Sequence, residues 1–560
     1  MVLLKEKVSQ LLAGDSREEA GKVTGRAVKE AALGLKPGKN DVSGSFTSDA
    51  ILNAPDILFE HLAAVFRSFL IHGTVTHSLL ACCFLPLLKS PLKDPSALAS
   101  YRAIAGSNLF LKLFENVILL LWGHLLSSDT LQFGFKKKTS TSQCSWLVTE
   151  VVQNYLRNGS NPIVTVLDCS KAFDTCKFNT LFSRLLEKGL PPIVVRVMMT
   201  VYQEQYAWVK WGQARSDLFP ILNGTRQGSI ASPALWAVYC DPLIQELRSL
   251  GLGAHIGGMF MGVTMYADDL LLIAPTRGSM QLMLEVCEKY ARNYNICFST
   301  DPNPVKSKSK CIYMVGKNRN LPRPAPLMLE GKELPWVETA THLGHELHQS
   351  GLMEHDAKVK RAKFIQKSLE IRDSFGFASP IEIQRALKVY CSSFYESMLW
   401  DLSGDGACQV FRAWNTAIKL AWDCPRDTRT YLLQQVLSPD MESARTSILV
   451  RYATFFKNLR NSTSKEVAML ANLVSRDIRT TTGSNLRAVE EASGHCPWVT
   501  SKDRLRDSII AKETVQVLEE DQWRIPMLDK LLTSRQEMNY LGEVEEVSRI
   551  SELIHSLCRN

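Results

Sequence analysis

Paired cysteine spacings are missing from this chain. Its 14 cysteines stand singly apart from Cys82-Cys83, and no Cys-x-x-Cys occurs. That argues against a zinc knuckle or a disulfide framework. It favours buried free thiols in a reduced compartment, so an intracellular protein of the nucleus or cytoplasm rather than a secreted one is expected. The N-terminus, Met1-Val-Leu-Leu-Lys-Glu-Lys7, lacks the long apolar core of a signal peptide. An unbroken apolar run is missing too. The most apolar stretch, Leu109 to Leu126, is interrupted by Lys112, Glu115 and Asn116, which predicts a buried helix and no membrane partner. Excess charge is scarce: a net +8 over 560 residues permits nucleic-acid binding without demanding it, so local clusters must decide. Internal repeats are not apparent. Gly251-Leu-Gly-Ala-His-Ile-Gly257 has the wrong spacing for a dinucleotide loop and runs into a strand pattern rather than a helix.

What is present is a folded composition, 45% apolar, in a chain long enough for two to four domains. Its centre of interest is Met259 to Ala274, where two apolar, partly β-branched runs flank Asp268 and Asp269. This pattern predicts a hairpin with the acids at its tip. Upstream, the β-rich run Ile163-Val-Thr-Val-Leu167 ends at Asp168 and leads through Cys169-Ser-Lys-Ala-Phe173-Asp174 into a helical pattern. If that strand pairs beside the hairpin, Asp168 faces Asp268 and Asp269 across a cleft. Three convergent carboxylates are the hard oxygen donors that Mg²⁺ requires. Two ions roughly 4 Å apart lower the pKa of an attacking hydroxyl and stabilise a leaving pyrophosphate. The chemistry implied is in-line phosphoryl or nucleotidyl transfer.

Other stretches carry local charge or close-approach signals. Gln132-Phe-Gly-Phe-Lys136-Lys-Lys-Thr-Ser-Thr-Ser142 is a basic, hydroxyl-rich turn before a helix over Gln143–Leu156. Such groups contact phosphate backbones without reading sequence. In Asn223-Gly-Thr-Arg-Gln-Gly-Ser229, Gly224 and Gly228 let the backbone approach a ligand, and Arg226 and Gln227 supply donors. Ser232-Pro233 then starts a helix. No acid lies between Asp301 and Glu330, a stretch that includes Lys306, Lys308 and Lys310. Asp356 to Arg372 reads as a basic amphipathic helix. His342, His345 and His348 repeat every third residue but lack the His-Glu-x-x-His spacing of a zinc helix, since Gln349 stands where the second histidine belongs.

Taken in order, these pieces resemble the reverse transcriptases of non-LTR (LINE-like) retrotransposons. The matching motifs are Asp168-Cys-Ser-Lys-Ala-Phe-Asp174, Gly224-Thr-Arg-Gln-Gly-Ser-Ile-Ala-Ser-Pro233 and Tyr266-Ala-Asp-Asp269. Tyr101-Arg-Ala-Ile104 and Gln132-Phe-Gly-Phe135 precede them, so the likeness runs from about residue 30 to 345. The resemblance implies an α+β right-hand polymerase. It would have an N-terminal helical segment (1–30), fingers (31–160), a palm with a ferredoxin-like antiparallel sheet (161–335), primer grip and thumb (336–430), and a helical C-terminal region (431–560). No room for an endonuclease is seen ahead of the fingers, which suggests a fragment, a truncated copy or a domesticated descendant.

By resemblance the activity is RNA-directed DNA synthesis on an RNA template, extending a DNA primer with dNTPs. Asp168, Asp268 and Asp269 would hold two Mg²⁺ (or Mn²⁺), and Phe173 would lie against the sugar and disfavour a 2′-hydroxyl. Lys89 and Arg102 would approach the triphosphate, although Ala103 stands where the family usually has proline. Arg226, Gln227 and Gly228 would seat template and nucleotide. Lys306 best matches a general acid for the pyrophosphate, with Lys308 and Lys310 as neighbours. Leu329–Leu334 and Thr341–His348 resemble a primer grip, with His342 at a position the family fills with tyrosine. Two alternatives stand beside this reading: a group II intron-type or RNA-copying polymerase, and a catalytically silent nucleic-acid-binding descendant.

Overall fold

In the computed structural model the described residues are all of 1–560 except 13–15, 171, 227, 302, 304, 317–320, 352, 423, 425–442 and 521–560. Two five-stranded sheets organise the first three fifths of the chain. The strand Ile163–Ser170 is the axis of the one that matters for the site. It pairs antiparallel with Asp269–Ala274, which pairs antiparallel with Val263–Tyr266, while Lys310–Tyr313 and Cys297–Phe298 share its other edge. Ile163 to Leu167 are buried without a break, as in a strand covered on both faces. The predicted hairpin is present but shorter than the pattern suggested. Met259–Phe260 turns back onto His255–Ile256 as a separate ribbon.

Helices form where apolar residues recur at helical spacing and where the ends are capped. Arg277–Tyr294 starts at Thr276, whose side chain accepts from the Ser279 amide, and stops at Asn295 in a left-handed conformation. It packs on Asp269–Ala274 and on Ser232–Leu250, which begins with Pro233 in its first turn. Leu109–Trp122 is a core helix with Leu111, Leu113, Phe114, Val117 and Ile118 buried. Leu109–Leu126 is, by length and composition, long and apolar enough to cross a membrane.

The other large sheet joins Ala81–Leu88 antiparallel to Tyr101–Ser107 and parallel to Tyr206–Trp211. Ala103 lies inside this ladder opposite Pro86. Its departure from the expected proline therefore falls on a strand rather than on a loosened loop, and a proline there would forfeit a backbone donor.

The basic helix predicted over Asp356–Arg372 spans Glu354–Ser374 and packs with Pro380–Cys391 and Asp405–Ala421. Four more helices run from Ala444 to Glu520. Gly404 is the N-cap of Asp405–Ala421. All 13 described cysteines are free thiols.

Candidate active site

The hairpin closes between Tyr266 and Asp269, leaving Ala267 and Asp268 as a two-residue loop. Across the next ladder Asp269 stands directly opposite Asp168. Directly opposed residues share a face of the sheet with Cβ atoms about 5 Å apart, and like charges so placed destabilise a sheet. Asp268 adds a third charge beside them. Burial, before anything else, pushes the Asp269 carboxyl up to about 6, and Asp268 and Asp168 add to the rise while Lys308 opposes it. Burial also raises Asp268, as does Asp168, against its own backbone amide, Arg102 and Lys308. The fold thus gathers three acids and undersupplies them with positive charge.

Among the described residues no three His, Cys, Asp or Glu side chains are closed into ligand geometry. The fit to a divalent cation rests instead on the donor set. It consists of hard oxygens of one sign, partly desolvated, on two paired strands and the turn beside them, with the proton affinities of Asp268 and Asp269 raised.

Among the described residues Lys308 is the cation that reaches them. Its Nζ lies 3.2 Å from Asp168 Oδ2 and 3.4 Å from Oδ1. Its loop is pinned by Ser309, whose hydroxyl accepts from the Asp168 amide at 3.2 Å. Lys306, the residue favoured by spacing, is exposed, and the contact with the acids belongs to its neighbour two positions on. Of the three lysines named, Lys308 is the one with an ion pair to Asp168, set by the loop's path onto the sheet, which sequence spacing does not encode.

Phe173 is half-buried in a short helix, Ala172–Thr175, its ring 5.2 Å from Trp236 and 6.0 Å from Phe135. Arg102 is exposed on Tyr101–Ser107, opposite Leu87, with the exposed Lys89 at the end of the paired strand.

The glycine loop behaves differently from expectation. Arg226 does not face a ligand. Its side chain is 1% exposed, donates to Glu115 at 3.0 Å and to Cys82 Sγ at 3.3 Å, and lies over the Tyr202 ring. Glu115 also accepts from Ser229 Oγ at 2.7 Å and the Ile230 amide at 2.8 Å. Gly228 (φ 121°) serves a protein contact as well, since a Cβ there would meet the Ala105 carbonyl at 2.3 Å. A Cβ on Gly224 would strike the backbone of Phe173 and Asp174. Both glycines permit close approach, but to this chain's own backbone. Gln227 lies outside the described residues. Lys136 is likewise drawn inward, donating to the carbonyls of Ser128 and Asp129, and burial lowers its proton affinity. Lys137 and Lys138 stay exposed.

Two residues at the site escaped the sequence reading in this role. Gln132 is fully buried against the hairpin turn, and Trp236 donates its indole N–H to the Ala267 carbonyl at 3.0 Å. The Gln-x-Gly spacing was visible beforehand; the indole's partner was not. His342 and His345 face each other across their own hairpin and are buried.

Residues 90–347 match the family described as "Reverse transcriptase (RNA-dependent DNA polymerase)". Over 312 residues the chain is 25% identical to the 115 kDa protein in type-1 retrotransposable element R1DM of Drosophila melanogaster, covering 55% of this chain and 28% of that protein. It is 24% identical over 230 residues to the retrovirus-related Pol polyprotein from type-1 retrotransposable element R2 of Nasonia vitripennis, 41% and 22% of the two chains. With the RNA-directed DNA polymerase from mobile element jockey of D. melanogaster it shares 22% identity over 303 residues, 52% and 31%. The chain thus spans less than a third of each of these relatives.

Proposed function

We propose that this chain, whose residues 90–347 belong to the reverse transcriptase family, is an RNA-directed DNA polymerase that extends a DNA primer with dNTPs on an RNA template. The observation that carries the reading is the register of Asp168 opposite Asp269, one residue from Asp268 in the turn. A sheet that sets like charges face to face loses stability by it, and the arrangement persists where cations are to be held.

Asp168, Asp268 and Asp269 would hold Mg²⁺, which when bound supplies charge for the attacking 3′-hydroxyl and the leaving pyrophosphate. The protein's part is placement. The antiparallel ladder fixes Asp168 and Asp269 on one face. Arg102, close enough to Asp268 to hold its proton affinity down, offers a bidentate fork for a triphosphate oxygen, with Lys89 beside it as a point charge. Phe173, backed by Trp236, presents a ring edge at the rim, where a 2′-hydroxyl would be crowded. Lys308 holds a proton within reach of the acids and of a departing phosphate.

In a right-hand description the palm is the sheet built on Ile163–Ser170, and the fingers are the sheet carrying Lys89 and Arg102. The thumb is Glu354–Ser374 with its partner helices, whose Lys360, Lys363 and Lys367 face a groove of about 380 Å³ with Tyr390 and Tyr395. Lysines one turn apart suit the phosphates of a duplex. Exposed Lys137 and Lys138 suit the template strand. The buried free thiols support an intracellular setting.

Single-nucleotide incorporation on an RNA template with Mg²⁺ tests the reading. Extension with dNTPs well above NTPs is expected, with loss of extension in Asp268→Asn while primer–template binding persists. Near-normal extension by that variant would overturn the assignment. Preference for NTPs would move the chain to an RNA-copying polymerase.

A further inference from the structure

The turn between Tyr266 and Asp269 departs from the hairpins closed at Leu329–Lys332 and His342–His345, and shares with the one closed at Trp211–Ala214 a single positive φ at the first loop position, which Gly212 fills there. At Glu330-Gly331 and Leu343-Gly344 both loop residues have positive φ and the second is glycine. In the 266–269 turn only Ala267 is left-handed (φ 58°), at the first loop position, where such a turn ordinarily takes glycine. An alanine persists there only when its surroundings over-determine it.

Two side chains and one close backbone approach do so, all from outside the hairpin. Gln132, fully buried, accepts with Oε1 from the Ala267 amide at 3.1 Å and from the Gly134 amide at 2.9 Å. Its Nε2 faces the Ala267 carbonyl at 3.5 Å. Trp236, also fully buried, donates Nε1–H to that same carbonyl at 3.0 Å. Gly134 presses so close that a Cβ on it would lie 2.3 Å from the Ala267 nitrogen. Behind these contacts, residues 131–133 run beside the hairpin as a short added strand, with the Phe133 amide donating to the Met265 carbonyl at 2.7 Å and the Met265 amide to Leu131 at 2.9 Å. Both polar backbone groups of Ala267 are therefore held by side chains. Its neighbour is Asp268.

We propose that Gln132 and Trp236 are positioning residues that clamp the Ala267 turn and thereby set Asp268 for divalent-cation binding, with Trp236 coupling this placement to the Phe173 ring packed against it at a tilt. The inference rests on the polymerase reading for its consequence in catalysis, but its cation-binding consequence can be measured separately. The clamp touches neither nucleotide nor primer, so its loss acts on cation affinity and turnover and leaves the KM for dNTP nearly unchanged. Groups that orient ligands in this way cost tenfold to a hundredfold in affinity or activity when removed.

The test uses the full chain bound to primer–template. Mn²⁺ affinity is measured by titration calorimetry, and kcat and KM by single-nucleotide incorporation over a range of Mg²⁺ concentrations. Gln132→Leu is expected to weaken Mn²⁺ binding and lower kcat at least tenfold, with the KM for dNTP within about twofold of wild type. Adding Ala267→Gly should recover most of the loss, because glycine occupies the left-handed region without a clamp. Trp236→Phe removes the N–H but keeps a ring beneath Phe173. It should therefore lower kcat while dNTP-over-NTP discrimination holds, and it carries the test if Gln132→Leu does not fold. Folded variants with wild-type Mn²⁺ affinity and kcat overturn the clamp. So does a loss of kcat that Ala267→Gly cannot relieve, which marks a merely structural role. A wild-type chain that binds no Mn²⁺ overturns it as well. If wild type binds Mn²⁺ through Asp268 and the variants bind it weakly, yet no nucleotide is incorporated, the clamp stands and the polymerase reading falls.

Discussion

Two short loops with similar motif character meet opposite fates in this fold. The turn at Tyr266–Asp269 and the loop at Gly224–Ser229 each combine left-handed backbone with charge, and each invites a functional reading from sequence. In the second the charge is spent internally: Arg226 is buried on Glu115, and the glycines make room for Phe173, Asp174 and Ala105. In the first the backbone is satisfied by Gln132 and Trp236, while the carboxylates are left facing one another and, among the described residues, Lys308 is the cation in contact. Chemistry is to be sought where a fold leaves charge unbalanced, rather than wherever a motif supplies it.

The difference can be broken most sharply by neutralising one charge in each loop. Asp269→Asn should reduce nucleotide incorporation by about a thousandfold or more, in the range lost when charge-stabilising groups are removed from active sites. The unfolding midpoint should not fall, since the change removes one of three repelling charges. Arg226→Met should do the reverse. It strands Glu115 in the core and costs about 3–5 kcal/mol of stability by urea unfolding, as breaking a buried pair does. Pairing it with Glu115→Gln should return part of that. Equal loss of stability in both variants would erase the contrast.

How much of this was readable beforehand follows from the range of the forces involved. The strand Ile163–Leu167 and the hairpin announce themselves through neighbouring residues, because unbroken β-branched runs and a two-residue tip are local signals, and the helix over 354–374 is announced by its run of helix-forming basic residues. Asp168 facing Asp269 needed a guess about register, which the acids' common chemistry made reasonable. Arg226 was misread because its partner lies 111 residues away on an apolar helix, where Glu115 looked like an interruption rather than an anchor. Lys308 was named beside Lys306 and Lys310 without a way to choose among them, because all three sit in one basic stretch and the loop's path onto Ser309 sets which meets Asp168. Trp236 gave no warning, since an indole in an amphipathic helix looks like ordinary core.

His342 and His345 sharpen the comparison with a third outcome, titratable groups buried without countercharge. Among the described residues neither ring nitrogen of His342 has a hydrogen-bond partner, nor does Nε2 of His345, whose Nδ1 is 3.2 Å from Ser145 Oγ. Burial, and then His345, pushes His342 down to about 3. Burial, and then Lys360, pushes His345 down to about 4. Unfolded imidazoles near 6.5 take up protons before the folded ones do, so the folded state binds fewer protons below that pH. Stability is therefore intact above pH 6.5 and is lost as pH falls from 6.5 toward 4, with a limiting slope of about 1.4 kcal/mol per pH unit for each ring. Urea midpoints at pH 7.5 and 5.5 should diverge in wild type and converge partway in His342→Phe. An unchanged pH dependence would show that these rings take up protons in the folded chain.

Lys308 tests how far the charge imbalance at the acids is deliberate. It is 67% exposed, so its pair with Asp168 contributes little to folding, and Lys308→Met should leave the unfolding midpoint within about 0.5 kcal/mol of wild type. Its effect on incorporation should be larger, about tenfold or more, if the ammonium gives a proton to the leaving pyrophosphate. Lys308→Arg separates the two roles that remain. A guanidinium keeps the positive charge beside Asp168 but does not release a proton at working pH. Recovery in the arginine variant makes Lys308 an electrostatic companion of the acids. An equal loss in the arginine and methionine variants, with a solvent deuterium effect larger in wild type than in either, makes it the proton donor. Wild-type rates in both would mean that neither the charge nor the proton of Lys308 serves the reaction.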